Sequence, residues 1–238
     1  MSKISKITRN GISALHLAPK SLILLLVLCL LVFAATALAQ EGTGYHDVPE
    51  SVIISQKVLP YGVQTVQRVW ANQDAYIASG YPNSNYGSST TMRIGYDNSF
   101  APPLQAVRAL LQFNLSPIPS TAQVNSATMG IYQSNSSPLN DAPMGFKAQY
   151  MTAAWNQFSV TWNNANFLGG ATIGIGDNTS ALGWKYSDVT DMIRSWVSGA
   201  EANYGMIVTG NETVPPSNRY RWFSTTDAGY QPFVDVNY

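Results

Sequence analysis

The sequence predicts an all-β protein, an antiparallel β-sandwich with one short amphipathic helix, and three observations carry that expectation. From Trp70 onward, short segments of alternating apolar and polar residues recur, each bounded by clusters of Gly, Asn, Pro and Ser. Only one stretch has helical spacing. The composition agrees: 238 residues are 45% hydrophobic but only 11% charged, with 13 Tyr and 6 Trp. That is too aromatic for a disordered chain and too poor in charge for a coiled coil.

Taken in order, Val52, Ile54 and Val58, a Pro60-Tyr61-Gly62 turn, then Val63, Thr65, Gln67 and Val69 read as two short strands. The best strand is 108–115. There Ala109, Leu111, Phe113 and Leu115 face one side, Arg108, Gln112 and Asn114 the other, and Leu110 breaks the alternation. Further strands are expected at 127–132, 145–151, 159–162, 205–209, 220–224 and 233–238. The helix is 188–199, where Val189, Met192, Ile193, Trp196 and Val197 recur at i, i+3, i+4, i+7 and i+8. Asp188 is placed as its N-cap, Asp191 in its first turn and Gly199 at its left-handed stop.

Residues 1–39 read as a secretory signal. Lys3, Lys6, Arg9 and Lys20 precede an uncharged run at 22–35, which is shorter than the ~20 residues that span a bilayer and ends at Ala37-Leu38-Ala39, a signal-peptidase pattern. The expected product is extracellular or surface-bound, with no membrane span left. Residues 40–69 form a leader with possible extra strands, and 70–238 the domain. Beyond residue 39 the chain holds 9 basic and 13 acidic residues, no Cys and the single histidine His46. A weakly acidic surface argues against a nucleic-acid partner, because phosphates need a basic stripe.

Several blocks together resemble the DNRLRE domain, related to the disaggregatase repeat and to carbohydrate-binding module family 96. They are Asp74-Ala-Tyr-Ile-Ala-Ser-Gly80, Pro82-Asn-Ser-Asn-Tyr-Gly-Ser88 leading to Met92-Arg-Ile-Gly95, Arg108-Ala-Leu-Leu-Gln-Phe-Asn-Leu115, Ala127-Thr-Met-Gly-Ile-Tyr132, Trp155 with Val160-Thr-Trp-Asn-Asn164, Asp188-Val-Thr190 with Trp196, Asn203-Tyr-Gly205 and the C-terminal Pro232-Phe-Val-Asp-Val-Asn-Tyr238. The resemblance implies a jelly-roll sandwich, secreted or on the cell surface and usually non-catalytic, with acidic glycans of the alginate type bound by some relatives. Gln157 stands where many relatives carry Glu, and Met129-Gly130 where Leu-Arg is common. Both departures remove charge that an acidic sugar or a cation could use.

Catalysis by a Ser or Cys nucleophile needs a base, most often His; only His46 remains, so no triad is expected and the chain is read as not an enzyme. A carboxylate pair for glycoside hydrolysis is the third-ranked reading. Sugar binding asks for flat aromatic faces and amide, hydroxyl or guanidinium groups. Candidates are Tyr81, Asn83, Asn85 and Tyr86 in one loop, Arg93 and Tyr96 after it, and Trp184 with Tyr186 before the helix. Asn85-Tyr86-Gly87 also reads as a structural turn, and Arg93 and Arg108 as solvated strand residues. Trp155, Phe158 and Trp162 form another aromatic cluster. No cofactor is expected except a structural calcium, for which Asp74, Asp97, Asn98 and Asp188 supply oxygens. The leading expectation is a module for polysaccharide or a cell-surface glycan. The alternative is a structural subunit of an extracellular layer, sheath or filament that self-associates by strand addition through 51–69.

Overall fold

The computed structural model describes residues 49–99, 102–138, 142–165, 173–212 and 219–238; the signal read at 1–39 and the leader as far as 48 lie outside them. Eleven antiparallel strands are assigned among the described residues. They are β1 (Ser51–Leu59), β2 (Gly62–Ala78), β3 (Thr91–Asp97), β4 (Gln105–Phe113), β5 (Ser126–Ser137), β6 (Met144–Tyr150), β7 (Ile173–Asn178), β8 (Gly183–Asp188), β9 (Met206–Thr209), β10 (Arg219–Ser224) and β11 (Phe233–Asn237). One helix, α1 (Thr190–Ser198), lies between β8 and β9. No helix among the described residues is long and apolar enough to cross a membrane.

The strands stack as two layers because β2 changes partners part-way along. Its pairing with β11 ends at Trp70↔Phe233, and its pairing with β4 begins at Ala71↔Phe113 with a register shift before Gln73. The extra residue, Asn72, is a bulge, and a bulge bends its strand and adds twist. The first layer runs β1, the start of β2, β11, β5 and β8; the second holds the end of β2 with β4, β3, β9, β6 and β7, and β10 joins β3 to β5.

Side chains alternate across each strand, so both layers send one apolar row inward. Val69, Met129, Ile131 and Val234 from the first layer meet Met92, Ile94, Leu111, Phe113 and Val208 from the second. All of these are fully buried, and full burial of such a side chain contributes about 1.5–3 kcal/mol. Helix α1 adds Met192, Ile193, Trp196 and Val197 to the same core. Leu110, the break in the 108–115 alternation, is buried in a second apolar cluster on the outer side of the second layer.

Two expectations are corrected. The strand expected at 159–162 is a run of turns: Val160 N–H donates to Asn156 O and Ala165 N–H to Thr161 O. The Asn156 side chain accepts from Phe158 N–H and that of Asn164 from Thr161 N–H, so local amide bonds replace a ladder. At the helix start the N-cap is Val189, not Asp188. Asp188 acts one residue earlier and accepts from both the N–H and the hydroxyl of Thr190. Gly199 ends the helix in the left-handed conformation (φ 75°), as expected, with its N–H on Trp196 O.

Candidate functional site

The outer faces of the two layers differ. Over the second layer the 151–165 segment forms a roof. Met151 and Val160 are buried against Ala75, Ile77, Leu110 and Ile207, and Trp155, Trp162 and Tyr204 pack on the same cluster. The Trp155 indole donates to Tyr204 O at 2.8 Å. The Arg108 guanidinium lies 4.5 Å from the Trp162 ring centroid and grips Glu212 with two 2.7 Å bonds, so it is anchored rather than solvated. Phe158, grouped with these aromatics by sequence, points to solvent.

The outer face of the first layer is open and aromatic. Register fixes its membership: Gly130 lies between Phe233 on β11 and Tyr186 on β8, and Tyr132 faces Trp184. Tyr132 stacks on Tyr230 with ring centroids 3.9 Å apart, and Trp184 meets Tyr132 edge-on at 5.6 Å and Phe233 at 5.1 Å. Phe233 is buried and forms the floor. Its ring edge occupies the space a side chain at Gly130 would need, 2.3 Å from where a Cβ would stand. Tyr230 and Tyr186 are 49% and 63% exposed. Arg68 closes one side, stacked 3.6 Å from the Phe233 centroid and bonded to both carboxylate oxygens of Asp235 at 2.7 and 2.8 Å. That pairing raises the Arg68 pKa further, with the nearby Tyr186 adding to it.

Of the eight glycan candidates, Trp184 and Tyr186 lie on this face, and the other six lie elsewhere. Asn85 clamps two segments together, its Nδ2 donating to Gln157 O and Val160 O at 2.7 Å each. Asn83 accepts from Asn163 at 2.8 Å, and Tyr81 donates to Pro102 O at 2.8 Å. Tyr86 stacks on Tyr76 at 4.2 Å, and burial pushes the Tyr76 hydroxyl up to about 12. Arg93 is buried, bonded to Asp97 at 2.7 Å and 4.5 Å from the Trp222 ring. Tyr96 is half-buried near the end of β3, opposite Arg219 and Ala106.

The oxygens named for calcium are engaged within the protein. Asp74 accepts from Thr226 N–H at 2.6 Å, Asp97 from Arg93 and from the hydroxyl and N–H of Ser99, and Asp188 from Thr190. Asn98 is exposed. Among the described residues no three His, Cys, Asp or Glu side chains come together as a metal-holding group. Sequence reasoning missed Arg68, Tyr132, Tyr230, Phe233 and Asp235, which come from three strands and a loop. The available signal was Gly130 inside a strand, which marks a close approach.

Similar stretches occur in the tRNA3(Ser)-specific nuclease WapA of Bacillus spizizenii, 25% identical, and in the tRNA nuclease WapA of Bacillus subtilis (strain 168), 24% identical. Each alignment covers 77% of this chain but 8% of the relative, so the chain spans only a small part of those proteins' length. The family model for carbohydrate-binding module family 96 matches residues 65–236, a span that takes in the helix and the aromatic face and leaves β1 outside, and the chain belongs to that family.

Proposed function

We propose that the open aromatic face binds polysaccharide and that the chain acts as an exported, non-catalytic module. The observation that carries this reading is the contiguous group of Tyr132, Trp184, Tyr186 and Tyr230 on one outer sheet face, floored by Phe233. Aromatic rings cover the C–H side of a pyranose, and phenolic hydroxyls meet its hydroxyl groups. The nuclease activity in the relatives' names describes proteins of which the shared stretch is 8%. Our reading gives this chain binding without cleavage.

Affinity electrophoresis through gels loaded with a panel of polysaccharides tests it. Retardation by at least one polymer is expected, and Trp184→Ala and Tyr230→Ala each weaken it about tenfold, the loss typical of a central aromatic contact. Retardation that survives both substitutions unchanged removes the site. A second reading, self-association, is favoured by β1, an edge strand exposed along nearly its whole length with Val58 75% exposed.

A further inference from the structure

We infer that the ligand of the open face is a neutral polysaccharide, not a uronate polymer; this rests on the platform reading above and specifies its ligand. A carboxylated sugar needs a cation whose charge no neighbouring carboxylate already balances, and guanidinium–carboxylate forks are the strong form of that contact. On the aromatic face the cation is Arg68, whose Nε and Nη2 bond to the Asp235 carboxylate, so that its charge is already balanced, while its flat side lies on Phe233. The same face also carries the carboxylate of Asp188, opposite Thr128 and on the same side of β8 as Trp184 and Tyr186. Hydrogen bonds from Thr190 hold Asp188 below the usual carboxylate range, so it stays ionised.

The other cations lie elsewhere. Lys185 is on the opposite side of β8 and bonds to Thr179. Lys57 shares the outer side but pairs with Gln64, four residues along β2 from Arg68. That separation is about 13 Å at the strand rise, beyond the ~8 Å over which exposed charges interact at physiological salt. Arg93, Arg108 and Lys147 belong to the second layer, Arg194 to the helix, and Arg219 and Arg221 bond to the Ala142 carbonyl. Residues 49–238 outside the described set include no Lys or Arg. An incoming uronate therefore meets two carboxylates and one committed guanidinium, whereas a neutral pyranose meets ring faces and hydroxyls. Gly130 fits the same logic: the Phe233 ring edge takes the space of a side chain there, so the strand sets no cation at the centre of the face.

The test compares the full-length protein on gels containing a neutral glucan, a neutral mannan, alginate or polygalacturonate, at low and high salt. Expected is retardation by a neutral polymer roughly tenfold stronger than by either uronate, and insensitive to salt, since no ion pair forms across the contact. Asp235→Asn, checked for folding by circular dichroism, frees the Arg68 fork and raises uronate retention; the wild-type comparison stands alone if that variant does not fold. Stronger wild-type retention by a uronate, lost with Trp184→Ala, overturns the neutral-ligand inference and leaves the platform intact. Retention by neither class of polymer overturns both.

Discussion

Asp74 is the most perturbed carboxylate among the described residues, and it ties together three loops. Its side chain is 1% exposed, it accepts from Thr226 N–H, and its own N–H donates to Gln157 Oε1, whose Nε2 reaches Gly87 O. Burial pushes its pKa up to about 6 from an ordinary 3.8, against the lowering pull of the Thr226 bonds and with Asp227 adding to the rise. Folded protein therefore holds this proton more tightly than unfolded chain. The stabilisation is complete below pH 3.8, shrinks as pH rises, and is gone above about 6; a shift of that size corresponds to roughly 2–3 kcal/mol. Urea unfolding of the wild type and Asp74→Asn at pH 4 and pH 7 checks it. The wild type should lose stability relative to the variant by that order between the two pH values, and a constant difference rules the linkage out. The neighbouring amide fits this setting: a carboxylate at 157 could still accept from Asp74 N–H but would lose the Nε2 donor to Gly87 O.

At the scale of elements, alternation was readable where inward residues were apolar and outward ones polar. In β4 the inward row of Ala109, Leu111 and Phe113 was plain, and the odd Leu110 had its own apolar cluster beneath the roof. Strand β8 reverses the rule, with Lys185 and Ser187 on the inner side and Trp184 and Tyr186 outside, so its pattern gave no strand signal. The 159–162 segment did the opposite and alternated convincingly, yet the side chains of Asn156 and Asn164 supplied its backbone bonds locally. Strand β1 was readable as apolar, but its sequence did not say whether a partner lies within the chain. It pairs with β2 on one edge and, among the described residues, with nothing on the other. A bulge near Ile54 and Lys57 are its blunting features, and such devices limit edge-to-edge pairing without abolishing it. If β1 mediates self-association, the wild type elutes earlier with rising concentration in size-exclusion chromatography and Val58→Lys elutes as a monomer. A wild type that is monomeric at every concentration ends that reading.

For the whole molecule, the aromatic face was illegible because its members sit at 68, 132, 184, 186, 230 and 233, and only the sheet order β2-β11-β5-β8 brings them together. Trp184 and Tyr186, two apart on one strand, were the part that local spacing exposed. The two-layer build assigns different work to the two outer faces, and this division predicts opposite behaviour for two tryptophans. Trp155 belongs to the roof, with its ring on the Leu110 cluster and its indole bonded to Tyr204 O. Trp155→Ala should cost about 2–3 kcal/mol, a fall in Tm of roughly 5–10 °C for a domain of this size, while polysaccharide retention persists below that temperature. Trp184 rests on an open face, where its ring covers Phe233 and abuts Tyr132 without sealing a core. Trp184→Ala should lower Tm by less than about 4 °C and remove most of the retention. Differential scanning calorimetry and affinity electrophoresis on the same preparations decide the matter. If Trp155→Ala abolishes retention at an unchanged Tm, the roof is the binding surface and the roles of the two faces are reversed.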